Sequence, residues 1–176
     1  KIELRVTIER DVNALALAEY MELGEKFDPL AVLMIENGLG LGLIINGNIY
    51  SGYSGGAGEI SHILNFEYNY NNLSQLQNNK KGLDKIINNT AEVLKVITET
   101  YDPAHIILST NYEFEKENWE KILYKYEHKL DLPKKFKKDI ILKKHCRENW
   151  SWSAGAVVLH DFLHNHYYIN KIFTDM

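Results

Sequence analysis

ENGLGLGLIINGN, residues Glu36 to Asn48, alternates glycine with aliphatic side chains and closes on an Asn46-Gly47 pair. Both members of such a pair tolerate positive φ, as the two-residue turn of a β-hairpin requires. The stretch therefore predicts strands at about Gly40 to Ile45 and Asn48 to Gly52. Alternation puts Gly38, Gly40 and Gly42 on one strand face, leaving bare backbone that a ligand or another segment can approach closely. A second run, GGAGEISH from Gly55 to His62, follows almost at once. It spaces Glu59 and His62 at i, i+3, so a turn or helix there directs both toward one small polar ligand.

Working outward, Ile2 to Ile8 alternates apolar and polar residues and reads as a strand. Asp11 and Asn13 then provide cap chemistry for a helix over about Val12 to Lys26, which Gly24 and Asp28-Pro29 end. A further strand is expected at Leu30 to Ile35. The Asn-rich segment from Asn65 to Asn79 has no clean period and reads as a loop. Apolar residues at helical spacing mark a helix from about Leu83 to Tyr101, stopped by Asp102-Pro103 before a strand at His105 to Leu108. The unit recurs as a helix near Glu113 to Lys129, a strand at Asp139 to Leu142 and a last helix from about Trp150 to His164. A three-stranded antiparallel meander followed by strand and helix in alternation predicts an α/β fold with a mixed sheet, of the ribonuclease-H-like type found in two-lobed kinases.

Composition narrows the function classes. At 176 residues and 45% hydrophobic, the chain can bury roughly two thirds of its unfolded surface as one compact unit. A net charge of -4 gives no overall pull toward nucleic acid or an anionic membrane, and the local cluster Lys134, Lys135, Lys137, Lys138, Lys143 and Lys144 reads as solvated surface. Cys146 is the single cysteine, which excludes an internal disulfide and any multi-cysteine metal site. No apolar run approaches the ~20 residues that span a bilayer, and a cytoplasmic location without membrane attachment is expected. A start at Lys1 with no initiator Met suggests a piece of a longer protein.

These blocks, in this order, resemble the ROK family of bacterial sugar kinases and sugar-responsive transcriptional repressors, which have the actin/hexokinase-type ATPase fold. ERDVNALALAE from Glu9 to Glu19 is similar to the family's glutamate-asparagine-aspartate-x-asparagine-alanine segment. The glycine ribbon is similar to its phosphate motif, and AGEISH from Ala57 to His62 to its sugar motif. Tyr101 to Leu108 and Ser153 to Ala156 fit two later blocks. The resemblance implies a carboxyl-terminal lobe, with residues 1–12 as the final strand and crossover from an amino-terminal lobe missing here. It implies that Asp11 is the base that takes a proton from a sugar hydroxyl in a kinase, and that Glu59 and His62 bind other hydroxyls. Asp11 as a plain helix cap, Glu59 as loop surface and His62 as a packed imidazole are the structural alternatives.

Departures from the family pattern bear on which branch the chain follows. Glu36 and Asn37 replace the glycine and threonine that receive nucleotide phosphates, leaving Gly38, Gly40 and Gly42 as a degenerate phosphate motif, and a carboxylate beside a triphosphate repels it. A kinase also needs an amino-terminal lobe whose aspartate-glycine-glycine-threonine loop organises phosphates and magnesium, and without that lobe this chain alone is not expected to phosphorylate a sugar. Arg10 replaces a neutral asparagine among the sugar contacts, which an acidic or phosphorylated sugar would rationalise. The family zinc loop has three cysteines after its histidine, and 63–82 has none, so that zinc site cannot form. His160 and His164 are i, i+4 but lack a third ligand at standard spacing, and no metal is expected there. Trp150 and Trp152, with Ser151 or Ser153 as cap, read as a helix start on the core, Gly155 with Ala156 as a close helix approach, and the aromatic tail from Tyr167 to Phe173 as core cover or a dimer contact. The implied function is the sugar-sensing domain of a ROK-type regulator, without a resident cofactor, reaching DNA only through a domain absent here and forming a homodimer. The alternative is the carboxyl-terminal lobe of an ATP-dependent sugar kinase, for which ATP and magnesium are implied.

Overall fold

A computed structural model describes residues 6–36, 39–60, 80–111, 115–130, 133, 136–144 and 147–174, giving only the helical backbone of 147–148 and 164–174. Its elements are α1 (Asp11–Leu23), β1 (Leu30–Ile35), β2 (Leu39–Ile45), β3 (Asn48–Ile49), α2 (Lys80–Tyr101), β4 (His105–Thr110), α3 (Lys116–Lys129), β5 (Asp139–Lys144) and α4 (Arg147–Thr174). The strands form one mixed sheet in the order β3-β2-β1-β4-β5. β1 pairs antiparallel with β2 and parallel with β4, which pairs parallel with β5. The α/β class and the mixed sheet match the expectation from sequence.

Both faces of the sheet are covered, which explains why β1 is an unbroken apolar run buried along its whole length. Leu30, Val32 and Met34 pack with Val12, Leu15, Ala16 and Leu17 of α1 and Val157 of α4. Ala31, Leu33 and Ile35 face the other way, toward Ile87, Val93, Leu94 and Ile97 of α2 and Ile122 and Tyr126 of α3. Tyr126 is fully buried, and its hydroxyl is satisfied by Thr98 Oγ1 at 2.8 Å and by the Lys138 N–H at 3.2 Å.

The hairpin turn forms as expected, with Asn46 at φ 53° and Gly47 at φ 73°. One carboxylate orders it: Asp28 accepts the Asn46 N–H at 2.9 Å and the Gly47 N–H at 2.5 Å. Tyr20 also bonds to Asp28, and burial together with the Asp28 and Glu25 charges raises its phenol pKa above the ordinary value. His160 Nε2, 3.3 Å from the Gly47 oxygen, joins α4 to the same turn.

Several boundaries and assignments differ from the sequence reading. Val6 to Arg10 lie outside the sheet, so no strand extends over Ile2 to Ile8 there, and the rest of that segment lies outside the described residues. α1 ends at Leu23, short of Lys26, because Gly24 adopts φ 88° and its N–H caps the Tyr20 carbonyl. β3 stops at Ile49; the Tyr50 N–H still reaches Leu43 O at 2.8 Å, and Gly52 at φ 71° then turns the chain away. α4 starts at Arg147 and runs 28 residues to Thr174, beyond His164. Ser153 is no cap, since its hydroxyl donates to Asn149 O one turn back, and Trp152 is half exposed. A Cβ on Gly155 meets nothing within 4 Å, so that glycine permits no close approach. The loop expected over 65–79 and the side chains of the aromatic tail lie outside the described residues.

The lysine cluster is corrected in part: Lys137 and Lys144 are exposed as expected, whereas Lys138 and Lys143 are half-buried, and charge patterning could not show the partners. Lys137 pairs with Glu127, Lys138 with Asp102, and Lys143 with Glu19 and Glu22. Lys134 and Lys135 lie outside the described residues. Glu19 is 5% exposed, so its charge depends on the ammonium that β5 brings to α1. Burial pulls the Lys143 pKa down, but the hydrogen bond and charge of Glu19, with the charge of Glu22, more than offset it and leave the pKa raised. That contribution to stability is complete below the ordinary lysine value of 10.5 and is lost as pH rises through the folded-state value.

Lys143→Met should destabilise the fold by about 2 kcal/mol in denaturant titration, less than the ~3–5 kcal/mol of a fully buried broken pair because Lys143 remains 28% exposed. The Lys143→Met/Glu19→Leu double variant should recover most of that loss. Gly42→Ala should cost about 1–3 kcal/mol, since its Cβ would stand 2.6 Å from Val12 O and 2.8 Å from Ala16 Cβ.

Candidate functional site

The residues nominated from sequence are brought together by a helix lying on a strand that meets it with two glycines. Gly40 and Gly42 point from β2 toward α1, and a Cβ on Gly40 would meet Val12 Cβ at 3.2 Å. Their bare backbone is used first for helix packing. This close contact sets the start of α1 beside β1 and β2, where a cavity of about 340 Å³ is lined by Arg10, Asp11, Val12, Met34, Glu36, Leu39, Gly40 and Glu59. Asp11, Glu59, Arg10 and Gly40 thus border one space. Gly42 is taken up by α1, and His62 and Gly38 lie outside the described residues.

Asp11 occupies the first turn of α1, and its Oδ1 accepts the Val12 N–H at 2.7 Å. A carboxylate there is favoured by the helix dipole. It is also exposed to the cavity, so helix-start chemistry and a cavity-facing position coexist in one residue. The more elaborate terminal contacts come from Glu9, whose Oε1 accepts the Arg10 N–H at 2.9 Å and Asn13 Nδ2 at 2.8 Å. Asn13 is 1% exposed, and its Oδ1 is a buried acceptor with no partner among the described residues.

Glu59 belongs to a loop, Ser51 to Ile60, that adds itself to the open edge of β2. The Leu41 N–H donates to Gly58 O at 3.3 Å, and the Ala57 N–H to Ser51 O at 3.0 Å. Gly58 has φ 86°, and a Cβ on it would fall 1.9 Å from Leu41 O, so both backbone conformation and space require glycine. Arg10 fastens the same loop from the helix side. Its Nη1 donates to Ala57 O at 2.7 Å and lies 3.3 Å from Glu59 Oε1, and its Nη2 is 3.5 Å from Leu41 O. The ion pair is partly exposed and weak by itself, but the carbonyl contacts give the guanidinium a defined place.

Glu36 was singled out in the sequence as a repulsive substitution, and it lies on the cavity wall at the end of β1. Met34 and Leu39 add an apolar floor that no motif signalled. The usable clue was positional: both flank the glycine ribbon at the strand ends where β1 turns into β2. A second cavity of about 310 Å³, lined by Thr7, Glu9, Asp11, Ala14, Trp150, Ser153, Ala154, Val157 and Val158, opens between the segment before α1 and α4. Asp11 borders both. Among the described residues no group of three or more His, Cys, Asp or Glu side chains could hold a metal ion. No helix among them is long and apolar enough to cross a membrane.

Residues 1–74 match the model of the ROK family. Over 72 residues the chain is 38% identical to an N-acetyl-D-glucosamine kinase of Histophilus somni, an overlap covering 40% of this chain and 23% of that protein. Its fold is similar to that of a ROK family protein from Streptococcus pneumoniae in complex with sucrose, with a TM-score of 0.68 and 16% identity, covering 88% of this chain and 65% of that one. It is also similar to a ROK family transcriptional regulator, a homologue of the E. coli MLC protein, with a TM-score of 0.53 and 13% identity, covering 84% and 50%. The chain therefore spans under a quarter of the curated relative and under two thirds of these solved chains. The actin-like ATPase fold of ROK proteins accounts for the mixed sheet and its flanking helices.

Gly58→Ala should lower the melting temperature by roughly 6 °C or more, as expected for a loss above ~2 kcal/mol in a chain of this size, by driving the loop off Leu41. Gly55→Ala, with φ 78° but nothing within 4 Å of the added Cβ, should lose only about half as much in the same thermal melt.

Proposed function

We propose that this chain, whose residues 1–74 belong to the ROK family, is the sugar-sensing lobe of a transcriptional regulator, binding a sugar or sugar derivative in the cavity at the start of α1. The observation that carries the reading is the shared wall: Asp11 from the helix and Glu59 from the loop, far apart in sequence, face the same space. Carboxylates accept hydrogen bonds without donating any, so together they suit a ligand rich in hydroxyl or amide donors. Each charge-assisted bond contributes about 1.5–3 kcal/mol, and Met34 and Leu39 offer an apolar surface for the carbon face of a ring.

Regulation is favoured over phosphoryl transfer by Glu36. A carboxylate on the wall, beside the glycine ribbon, opposes the approach of nucleotide phosphates that kinase chemistry requires. In a sensor no phosphate needs to be received. A ligand bound more tightly in one arrangement of the protein shifts the population toward it, and an attached DNA-binding domain would report the change. A homodimer is the expected assembly. The kinase remains the second reading, favoured by the 38% identity over 72 residues to an N-acetyl-D-glucosamine kinase.

Calorimetry against a panel of hexoses and N-acetylhexosamines should show specific binding, weakened about 10- to 100-fold in Asp11→Asn and in Glu59→Gln. An ATP-dependent phosphorylation assay on the same panel should show no turnover. Turnover that disappears in Asp11→Asn would decide for the kinase instead, and no binding to any sugar would defeat both readings.

A further inference from the structure

We infer that the second cavity, between the segment before α1 and helix α4, is a binding site in its own right, for a small organic ammonium ion with an apolar body. Its volume of about 310 Å³ lies at the low end of ligand-sized cavities. The walls are mostly apolar and fixed by the fold. Ala14, Trp150 and Val157 pack with the core residues of α1 and β1, and Ala154 and Val158 complete the side that α4 supplies.

The polar groups on these walls are of one kind. Both hydroxyls are committed within the fold, since Thr7 Oγ1 donates to Asp161 Oδ2 of α4 at 3.1 Å and Ser153 Oγ donates to Asn149 O at 2.8 Å. Glu9 and Asp11 remain. Each engages one carboxylate oxygen with neutral donors: Glu9 Oε1 accepts the Arg10 N–H and Asn13 Nδ2, and Asp11 Oδ1 accepts the Val12 N–H. Neither forms an ion pair among the described residues, and no Lys, Arg or His stands in the described lining. An anion is therefore repelled. A polyol finds acceptors at one end and apolar walls elsewhere, which leaves hydroxyls without partners. An ammonium matches the two carboxylates in charge and in hydrogen bonding, while its hydrocarbon covers the indole and the two valines.

Regulation follows from Asp11, which borders both cavities. A cation held on one side draws on the carboxylate that accepts a sugar hydroxyl on the other, so amine and sugar weaken each other's binding by one common factor. The ammonium site stands on its own geometry, and only this linkage rests on the sugar reading.

The test is calorimetry on the full chain with three probes at equal ionic strength: phenethylamine, the neutral phenethyl alcohol and the anionic phenylacetate. The amine should bind about tenfold more tightly than the alcohol, and phenylacetate should not bind. Glu9→Gln keeps an oxygen for the Arg10 and Asn13 donors but removes the charge, so it should erase most of the preference for the amine. Ala154→Leu fills space from an exposed helix position without altering either carboxylate, and it should weaken the amine about tenfold or more. An amine that binds no better than the alcohol, or equally well to wild type and Ala154→Leu, overturns the site. Saturating phenethylamine should weaken binding of an N-acetylhexosamine severalfold in wild type and not in Ala154→Leu; an unchanged sugar affinity overturns the linkage alone. No sugar binding at all removes the sugar reading and the linkage with it, while the amine result stands by itself.

Discussion

Helix α1 lies directly on the backbone of β2, and most of the molecule's organisation depends on that contact. Gly40 and Gly42 present no side chain to the helix, so Val12 and Ala16 come within van der Waals distance of the strand itself. The opposite face of β2 carries Leu39, Leu41 and Leu43 into the core shared with α2 and α3. One strand thus supports two unlike contacts, a thin one toward α1 and a thick one toward the other helices. The thin contact has a functional consequence: it brings the helix start, with Arg10 and Asp11, down to the strand ends where Glu36 and Gly40 border the cavity.

A second close approach completes the wall. Gly58 lets the loop run against Leu41 with a backbone hydrogen bond in each other's reach, and Arg10 secures it from the other side. Two glycine-dependent contacts and one guanidinium therefore hold the described wall of the site. Several cations among the described residues have such internal roles. Lys143 neutralises the buried Glu19, Lys137 and Lys138 join β5's approach to α3 and to the end of α2, and Arg10 holds Glu59. A modest net charge of -4 accordingly conceals a distribution in which carboxylates face the cavity while the lysines and Arg10 named here face carboxylates.

Sugar kinases and sugar-responsive regulators can share such a scaffold because the fold supplies only the placement of a helix start, a strand turn and a loop. The distinction lies in a few side chains at those places. Asp11 serves either branch, as a base or as a hydroxyl acceptor. On the proposed reading Glu36 separates the two, since a carboxylate there opposes a triphosphate. The similarity in fold to a ROK family protein and to a ROK transcriptional regulator, with a kinase relative over 72 residues, is consistent with one architecture carrying either chemistry.

Periodicity and turn chemistry determined the α/β class, the Asn46-Gly47 hairpin and the order of the described elements from α1 onward, because buried strands and amphipathic helices write their burial directly into residue spacing. Residue spacing also nominated Glu59 and the glycine ribbon, whereas Asp11 was nominated by the resemblance to ROK motifs. Boundaries such as the long α4 and the short β3 were less legible, as helix ends and strand ends depend on which neighbour is available to pair. What only the tertiary structure decided was who faces whom. A glycine in a strand does not say whether a ligand or a helix uses its bare backbone, and here Val12 and Ala16 do. An arginine or lysine in a motif does not say whether its charge is free, and the partners of Arg10 and Lys143 come from segments 47 and 124 residues away. Electrostatics act through space, so the meaning of a charge is set by the fold that surrounds it.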